Sequence, residues 1–491
     1  MNRGRRRFLQ TGAGVASLLS AGCGRGQWLE AFRLPTAPKL GPFSVPDGET
    51  IDAVFHALSR CSFGPGPLDY SQVRALAQDP REAAELWIEE QIQARQDDRY
   101  ADFQWRSRYE TVLQDPVGEF FEFRPEHILD DLLGSTLARA IASRRQLNEV
   151  MVHFWSDHFN IDSSKGDCRW LVGWDHREVA RKHALGKFRD LVGCSALSPA
   201  MLWYLDGRVN HAGDPNEKPN ENYARELLEL HTLGVHGGYS QRDVMEVARA
   251  LSGWIVREQV WLRLGEPDFR PERHDDGSKE VLGQVLPAGG GKQDLERVLD
   301  LVCEHPSTAR YIAWKLCRWF IADEPPPEAT ETVASAFSQS GGDIQETLRA
   351  LFRTEAFWAE RGNKFKRPFH FIVSALRGLG VRGNPAPSLV DHLRRMGHLP
   401  FQYPTPDGYP AEAGPWMESL LWRWRFAYAL ANGEVKGAEF DLAQLAEYAG
   451  GKEKLTASLL GRRPGGDEAA VLRELDFRPE AVLASPAYQW F

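Results

Sequence analysis

The stretch Asn220–Gly234, NENYARELLELHTLG, carries side chains whose types and spacing suit proton transfer or metal binding. It predicts one amphipathic helix over Glu221–Thr232, with Leu227, Leu228 and Leu230 as an apolar stripe and Tyr223 a turn earlier. Glu221, Arg225 and Glu229 recur every fourth residue and stack on one face, while Asn222 and Glu226 form a second row beside it. His231 sits at the helix end, and Gly234 is a natural terminator. Arg225 lies one turn from two acids, which reads as an ion-pair network. Glu226 has no basic partner along its own helix. A buried, unpaired carboxylate is costly unless it binds a metal, is protonated or meets an Arg from elsewhere. Glu226 is therefore the first candidate for a metal ligand or general base, with Asn222 placed to orient it. A buried salt-bridge network is the competing reading.

A second constellation lies on the helix ending in HFWSDHF. Glu149, His153 and Asp157 are spaced by four and share a face, with His158 about a hundred degrees further round. Carboxylate and imidazole groups one turn apart suit a hard or borderline cation. His158 is accordingly a candidate both for catalysis and for metal ligation. The structural alternative makes Phe154, Trp155 and Phe159 core aromatics and has His158 bond a buried backbone group. His231 and His274 complete the candidate ligand set, and a divalent metal is the cofactor such a set would take. His274-Asp275-Asp276 and Lys279 also fit a simple turn.

Other chemistries find less support. Gly289-Gly290-Gly291-Lys292 lacks the following Ser/Thr and the preceding strand of a phosphate loop, and no GxSxG occurs. The six cysteines show no CxxC spacing, so a zinc ribbon is not expected. Cys61, Cys194, Cys303 and Cys317 read as free cysteines within helices or at their ends. Trp155, Trp203, Trp314 and Trp319 fall in helical apolar runs and read as core rather than sugar platforms.

The elements that must position these groups are mostly helical. Helices are expected at Ala53–Arg60, Pro80–Arg95, Glu126–Ala142, Gln146–Asn160, Pro199–Leu205, Arg242–Ser252 and Ser307–Phe320. Ser240 followed by Asp243 resembles a capping box. From Trp254 to Leu286, alternation (Val260, Leu262, Leu264) among scattered Pro and Gly predicts a small hairpin or irregular excursion. Gly397–Pro415 is a long loop rich in Pro, Tyr and Phe, of the kind that lines sites. The fold class is mainly α: a multi-helix globular body with a small irregular or β-hairpin excursion and long ordered loops.

The 491 residues are 42 % hydrophobic, which is ample material for a large core and for two lobes. Residues 1–23 read as a twin-arginine signal, with Arg5, Arg6, Phe8 and Leu9 as its core and an apolar run from Thr11 to Ala21 behind it. The run is too short to span a bilayer. Leu19-Ser20-Ala21-Gly22-Cys23 resembles a lipoprotein cleavage site, with Ser20 where a Leu is usual, so Cys23 is the candidate lipidation site. A lipid there would be the chain's only membrane attachment. Residues 24–50 form a Pro-rich linker, 51–430 the main helical domain with a boundary near 322–328 at a run of three prolines, and 431–491 a C-terminal helical extension. The formal charge of −9 includes four arginines in residues 1–23, so the mature chain is more acidic still. With no basic stripe or polybasic cluster in view, nucleic-acid binding is not expected.

Seven stretches together carry a resemblance. Asn220–Trp254 is similar to the hallmark segment of a large bacterial family known as domain of unknown function 1800. In order along the chain, the others are HALSRCSFG (His56–Gly64), HFWSDHF (His153–Phe159), SPAMLWYLDG (Ser198–Gly207), HDDGSKEVLG (His274–Gly283), HPSTARYIAWKLCRWF (His305–Phe320) and FQYPTPDGYP (Phe401–Pro410). Relatives tend to read FWHNHF at the second of these, so Ser156 and Asp157 are departures, and His158 is the histidine that matches. The resemblance implies an exported protein but no settled activity. It also implies a companion, the co-exported family of unknown function 1501, which resembles a sulfatase/phosphatase-type fold. Two functions follow as expectations. One is a metal-dependent or acid–base hydrolase of the periplasm or envelope. The other is a non-catalytic binding or scaffold subunit that docks such a partner through the Tyr403–Tyr409 loop.

Overall fold

Local capping decides where most helices begin. Asp52 accepts the Phe55 N–H at 2.8 Å and opens Ala53–Arg60. Asp79 accepts from Glu82 N ahead of Pro80, whose missing N–H costs nothing at the first position of Pro80–Ile92. Ser240 and Asp243 form the reciprocal capping box that starts Gln241–Ala250. The Asp243 carboxylate also accepts the Leu282 N–H at 2.7 Å, which ties the neighbouring ribbon to this helix. The computed structural model describes residues 40–491 except 97, 99–107, 110, 111, 113, 213–217 and 259–263. The signal residues Arg5, Arg6, Phe8 and Leu9 and the candidate lipidation site Cys23 lie outside the described residues, as do Val260 and Leu262 of the alternating stretch.

The body is mainly α. Pro125–Ala142 and Gln146–His158 form the helical pair expected from sequence. Gln146 locks their junction: its side chain donates to Ala140 O and Ser143 O and accepts from Phe63 N. Helices Pro199–Tyr204 and Pro306–Phe320 follow the predicted pattern, and the second packs against Pro327–Gln339 across the proline run. The excursion from Trp254 to Leu286 resolves into two antiparallel two-stranded ribbons, Trp254–Val256 with Pro267–Phe269 and Lys279–Val281 with Gln284–Leu286. One contiguous apolar core, from Ala53 to Tyr488, underlies these elements. Trp155 is fully buried in it and donates to Ala184 O at 3.0 Å, whereas Trp314 is exposed on its helix. Cys61, Cys168, Cys194, Cys303 and Cys317 are free, and among the described residues no helix is long and apolar enough to cross a membrane.

The winding departs from expectation where the chemistry was expected. The helix read as Glu221–Thr232 is α only over Asn222–Glu226 and continues as a π-helix over Leu227–Thr232. Thr232 Oγ1 reaches back to Leu227 O at 2.6 Å, the five-residue span that a wider turn creates. A second π segment, His176–Arg181, extends Cys168–Asp175. Such segments re-aim the side chains that follow them and recur at functional sites.

Candidate functional site

The helix Gln146–His158 presents Glu149, His153 and Asp157 along one face, and each meets a different partner. Glu149 is held by a bidentate pair with Arg181, 2.8 Å on both oxygens. Burial alone would raise its pKa, but the Arg181 charge and hydrogen bonds bring it below the ordinary value. Asp157 accepts from Arg367 Nη1 at 2.6 Å, and that guanidinium lies 3.9 Å over the Trp319 ring. Here burial wins, and the Asp157 carboxyl is pushed up despite the Arg367 charge. His153 stacks on Phe369 with centroids 4.5 Å apart, and its Nε2 is buried with no hydrogen-bond partner.

His398, in the turn after Ala386–Arg395, completes the group. The Phe369 N–H donates to its Nδ1 at 3.2 Å, and the ring is clasped by Tyr409 and Trp416. Because Nδ1 accepts, the neutral ring carries its proton on Nε2, which is also buried without a partner. One nitrogen from each histidine and a carboxylate oxygen of Asp157 all lie within 4.8 Å of one another. Burial, reinforced by the Arg367 charge, holds both imidazoles well below their ordinary pKa and hence neutral. Buried polar atoms normally find partners, so two histidines that each keep a buried, unengaged Nε2 beside a shared carboxylate mark a place prepared for something else. A small adjoining cleft is lined by His153, Ser156, Asp157, His176 and Phe401. Ser156 hydrogen-bonds His176 Nδ1 at 3.2 Å, across the His176–Arg181 π segment.

The loop Phe401–Pro410 roofs this region. Asn160 Nδ2 donates to Tyr403 O and Thr405 O, and Tyr204 Oη donates to Pro404 O. Gly408, at φ +75°, sits so close that a Cβ there would fall 2.0 Å from Asp157 O.

A second small cleft shares His153 and Phe63 with the first. Arg60, Lys364, Arg367 and His370 line it. The run Lys364-Phe365-Lys366-Arg367 is a basic cluster that the sequence reading passed over. It is buried rather than displayed as a surface stripe.

The residues singled out from sequence are placed as follows. His158 has both nitrogens engaged: Lys315 Nζ donates to Nδ1 at 2.9 Å, and Nε2 donates to His231 O at 3.1 Å. Lys315 itself is pulled down to about 8 by burial, against the opposing charges of Asp157 and Asp407. His231 lies with its ring 6.1 Å from His158 and 5.0 Å from Phe159, both nitrogens buried and unpartnered. Burial and the Lys315 charge pull its pKa down to about 3. Glu226 is half-buried, and its carboxyl is raised by burial and then by Glu229, with Asp407 adding to the effect. No hydrogen bond joins it to His158. Asn222 Nδ2 reaches Asp206 at 3.4 Å rather than Glu226. Arg225 bridges Glu221 and Glu229, as the ion-pair reading expected. His274 is buried against Ser252 O at 2.9 Å and Asp294 at 3.3 Å, with Lys279 Nζ 2.7 Å from the same carboxylate oxygen. The structure thus groups His158 with His231, closes His274 into a separate buried network, and converges His153, Asp157 and His398. Of these last three, His153 and Asp157 were visible as a helix face. His398 and Arg367 come from distant segments and had no local signal beyond the basic run at Lys364–Arg367 and the Gly397–Pro415 loop.

No curated protein and no solved structure matches the chain. A family model described as protein of unknown function (DUF1800) matches residues 56–490, so the structure with its His153–Asp157–His398 cluster belongs to that family.

Proposed function

We propose that this chain is a hydrolase, exported to the periplasm or envelope, whose reaction takes place at Asp157, His153 and His398. The observation that carries the reading is the grouping of two histidines, each with a buried, unengaged Nε2, with one carboxylate beside a cleft. In this arrangement Asp157, raised by burial, takes a proton from water as its oxygen attacks the substrate's electrophilic centre. His398 Nε2–H, neutral because of burial, donates to the oxygen on which charge develops, as a fixed dipole rather than a proton source. Arg367 holds the carboxylate in place, and the proton that Asp157 takes from water passes through neutral His153 to the leaving group, which departs protonated. A second reading, a divalent cation held by His153, Asp157 and His398, is favoured by the spacing of their ligand atoms. It requires His398 to give up its Nε2 proton.

A panel of chromogenic acyl, phosphoryl, sulfuryl and glycosyl esters, offered to purified protein before and after chelation, tests both. Turnover that survives chelation and vanishes in Asp157→Asn and His398→Gln supports acid–base hydrolysis. Turnover lost on chelation and restored by a metal supports the second reading. No turnover on any ester, with the variants folded, leaves the non-catalytic role: a binding subunit for a co-exported partner such as the family of unknown function 1501.

A further inference from the structure

We propose that the second cleft is an anion-binding site, built to take a phosphate-, sulfate- or carboxylate-bearing group. Arg60 carries the argument. It is 2 % exposed, its Nη2 donates to the Glu360 backbone O at 2.7 Å, and its Nε and Nη1 are buried without any partner. Among the described residues no carboxylate forms an ion pair with it, although the Glu360 and Asp323 charges favour its charged form. The acids beside the other two cationic lining residues are engaged, Asp157 by Arg367 and Asp323 by Lys364. Lys364 Nζ also donates to Ala411 O at 2.9 Å. Of the three cationic side chains that line the cleft, Arg60 is the one without an ion-pair partner among the described residues, and it is the most deeply buried. A buried charge without a counter-ion is expensive. Burial pulls the Arg60 pKa down to about 9, against the opposing charges of Glu360 and Asp323.

His370 adds a second unpartnered donor position. Its Nε2 is buried and free, and its ring lies 4.3 Å from that of Phe491. The Phe491 ring also sits 4.8 Å from the Arg60 guanidinium carbon, which leaves the in-plane N–H groups of Arg60 to address a ligand. A planar fork with two open donors matches the oxygens of a phosphate, sulfate or carboxylate. His153 belongs to both clefts, so an anion held here lies beside the Asp157–His398 cluster. Anion binding stands on these observations alone. That the anion is part of the substrate rests on the hydrolase reading.

Titration calorimetry of the intact mature protein with inorganic phosphate, sulfate and acetate, each against sodium chloride at equal ionic strength, tests the site. Saturable binding of at least one anion is expected. It should weaken by about tenfold or more in Arg60→Gln and persist in His398→Gln, which lies outside this cleft. Where Arg60→Gln does not fold, His370→Asn and the shift in melting temperature of the wild-type protein with each anion serve instead. Absence of any saturable heat or specific melting shift at millimolar anion, or undiminished binding in a folded Arg60→Gln, overturns the site. Binding without turnover in the ester panel removes only the hydrolase reading, and turnover without anion binding removes only this one.

Discussion

Arg367 and Asp157 meet at 2.6 Å beneath the Trp319 ring, an ion pair that neither the helix of Asp157 nor the segment of Arg367 announces by itself. Both side chains are largely buried, so the pair is worth more as a constraint than as a source of stability. Breaking such a pair by removing one partner costs about 3–5 kcal/mol, because it strands the other. Arg367→Gln should therefore lower unfolding free energy by an amount of that order. Asp157→Asn keeps an acceptor for the guanidinium and should cost less, while abolishing turnover. Chemical denaturation of the two variants decides this. Equal destabilisation, or full activity in Asp157→Asn, contradicts the role given to the pair.

The second prediction concerns pH. His153, His158, His176, His231, His370 and His398 are all buried and held below the ordinary imidazole value of 6.5, chiefly by desolvation. As pH falls through 6.5, the unfolded chain takes up protons at these positions that the folded chain refuses. The unfolded state then binds more protons, and stability falls by about 1.4 kcal/mol per pH unit for each histidine involved. Asp157, Asp175 and Glu226 work the other way, since burial raises their pKa and the folded state binds extra protons as pH falls. With His56, His183, His305 and His392 also lowered and Asp131 and Asp167 also raised, ten imidazoles oppose five carboxyls among the described residues, so the net change below pH 6.5 is destabilising. Melting temperatures measured from pH 8 to pH 5 should drop steeply over the lower half of that range. A flat profile would show that these rings are hydrated or paired.

Much of the scaffold was readable because its signals are local. Asp52, Asp79 and the Ser240/Asp243 pair cap helices by bonding N–H groups two or three residues away, so the starts at Ala53, Pro80 and Gln241 follow from short spacings. The Glu149–His153–Asp157 face is likewise a matter of helical repeat. What could not be read is anything that depends on distant segments meeting. Arg181 neutralises Glu149, Arg367 pairs with Asp157, and His398 enters only once the chain after Arg395 has turned back on Phe369. The emphasis on Glu226 assumed a uniform α-helix. The change to π winding at Leu227 is not encoded in a periodicity template, and His158 turns out to bond Lys315 and the His231 carbonyl.

Gly408 provides the third prediction. Its φ of +75° disfavours any side chain, and a Cβ would meet Asp157 O at 2.0 Å, deep inside van der Waals contact. The backbone conformation alone costs about 1–2 kcal/mol for a non-glycine residue, before the clash is counted. Gly408→Ala should displace the Phe401–Pro410 loop from the C-terminal end of the Asp157 helix. The expected outcome is faster proteolysis within that loop and loss of activity, with global unfolding much less affected. If the loop stays protected and activity is retained, the loop does not help form the site.

The His274–Asp294–Lys279 network yields the fourth. Lys279 and Asp294 are fully buried, and Lys279 Nζ donates to the Asp275 and Gly277 carbonyls as well as to the carboxylate. A cation with this many internal partners is a structural clasp closing the ribbon Lys279–Val281 onto the start of Lys292–Glu304. Lys279→Met strands the Asp294 charge, which His274 at 3.3 Å compensates only if it is protonated. The cost should be about 3–5 kcal/mol. The double variant Lys279→Met/Asp294→Leu removes both charges together and should recover a large part of that loss, since a buried pair replaced by apolar groups is often neutral or better. Anion binding at Arg60 and turnover at Asp157 should be unchanged in whichever of the two variants remains folded. A double variant as unstable as the single one would mean that Asp294 serves His274 rather than Lys279. Loss of turnover in a folded variant would place this network within reach of the reaction.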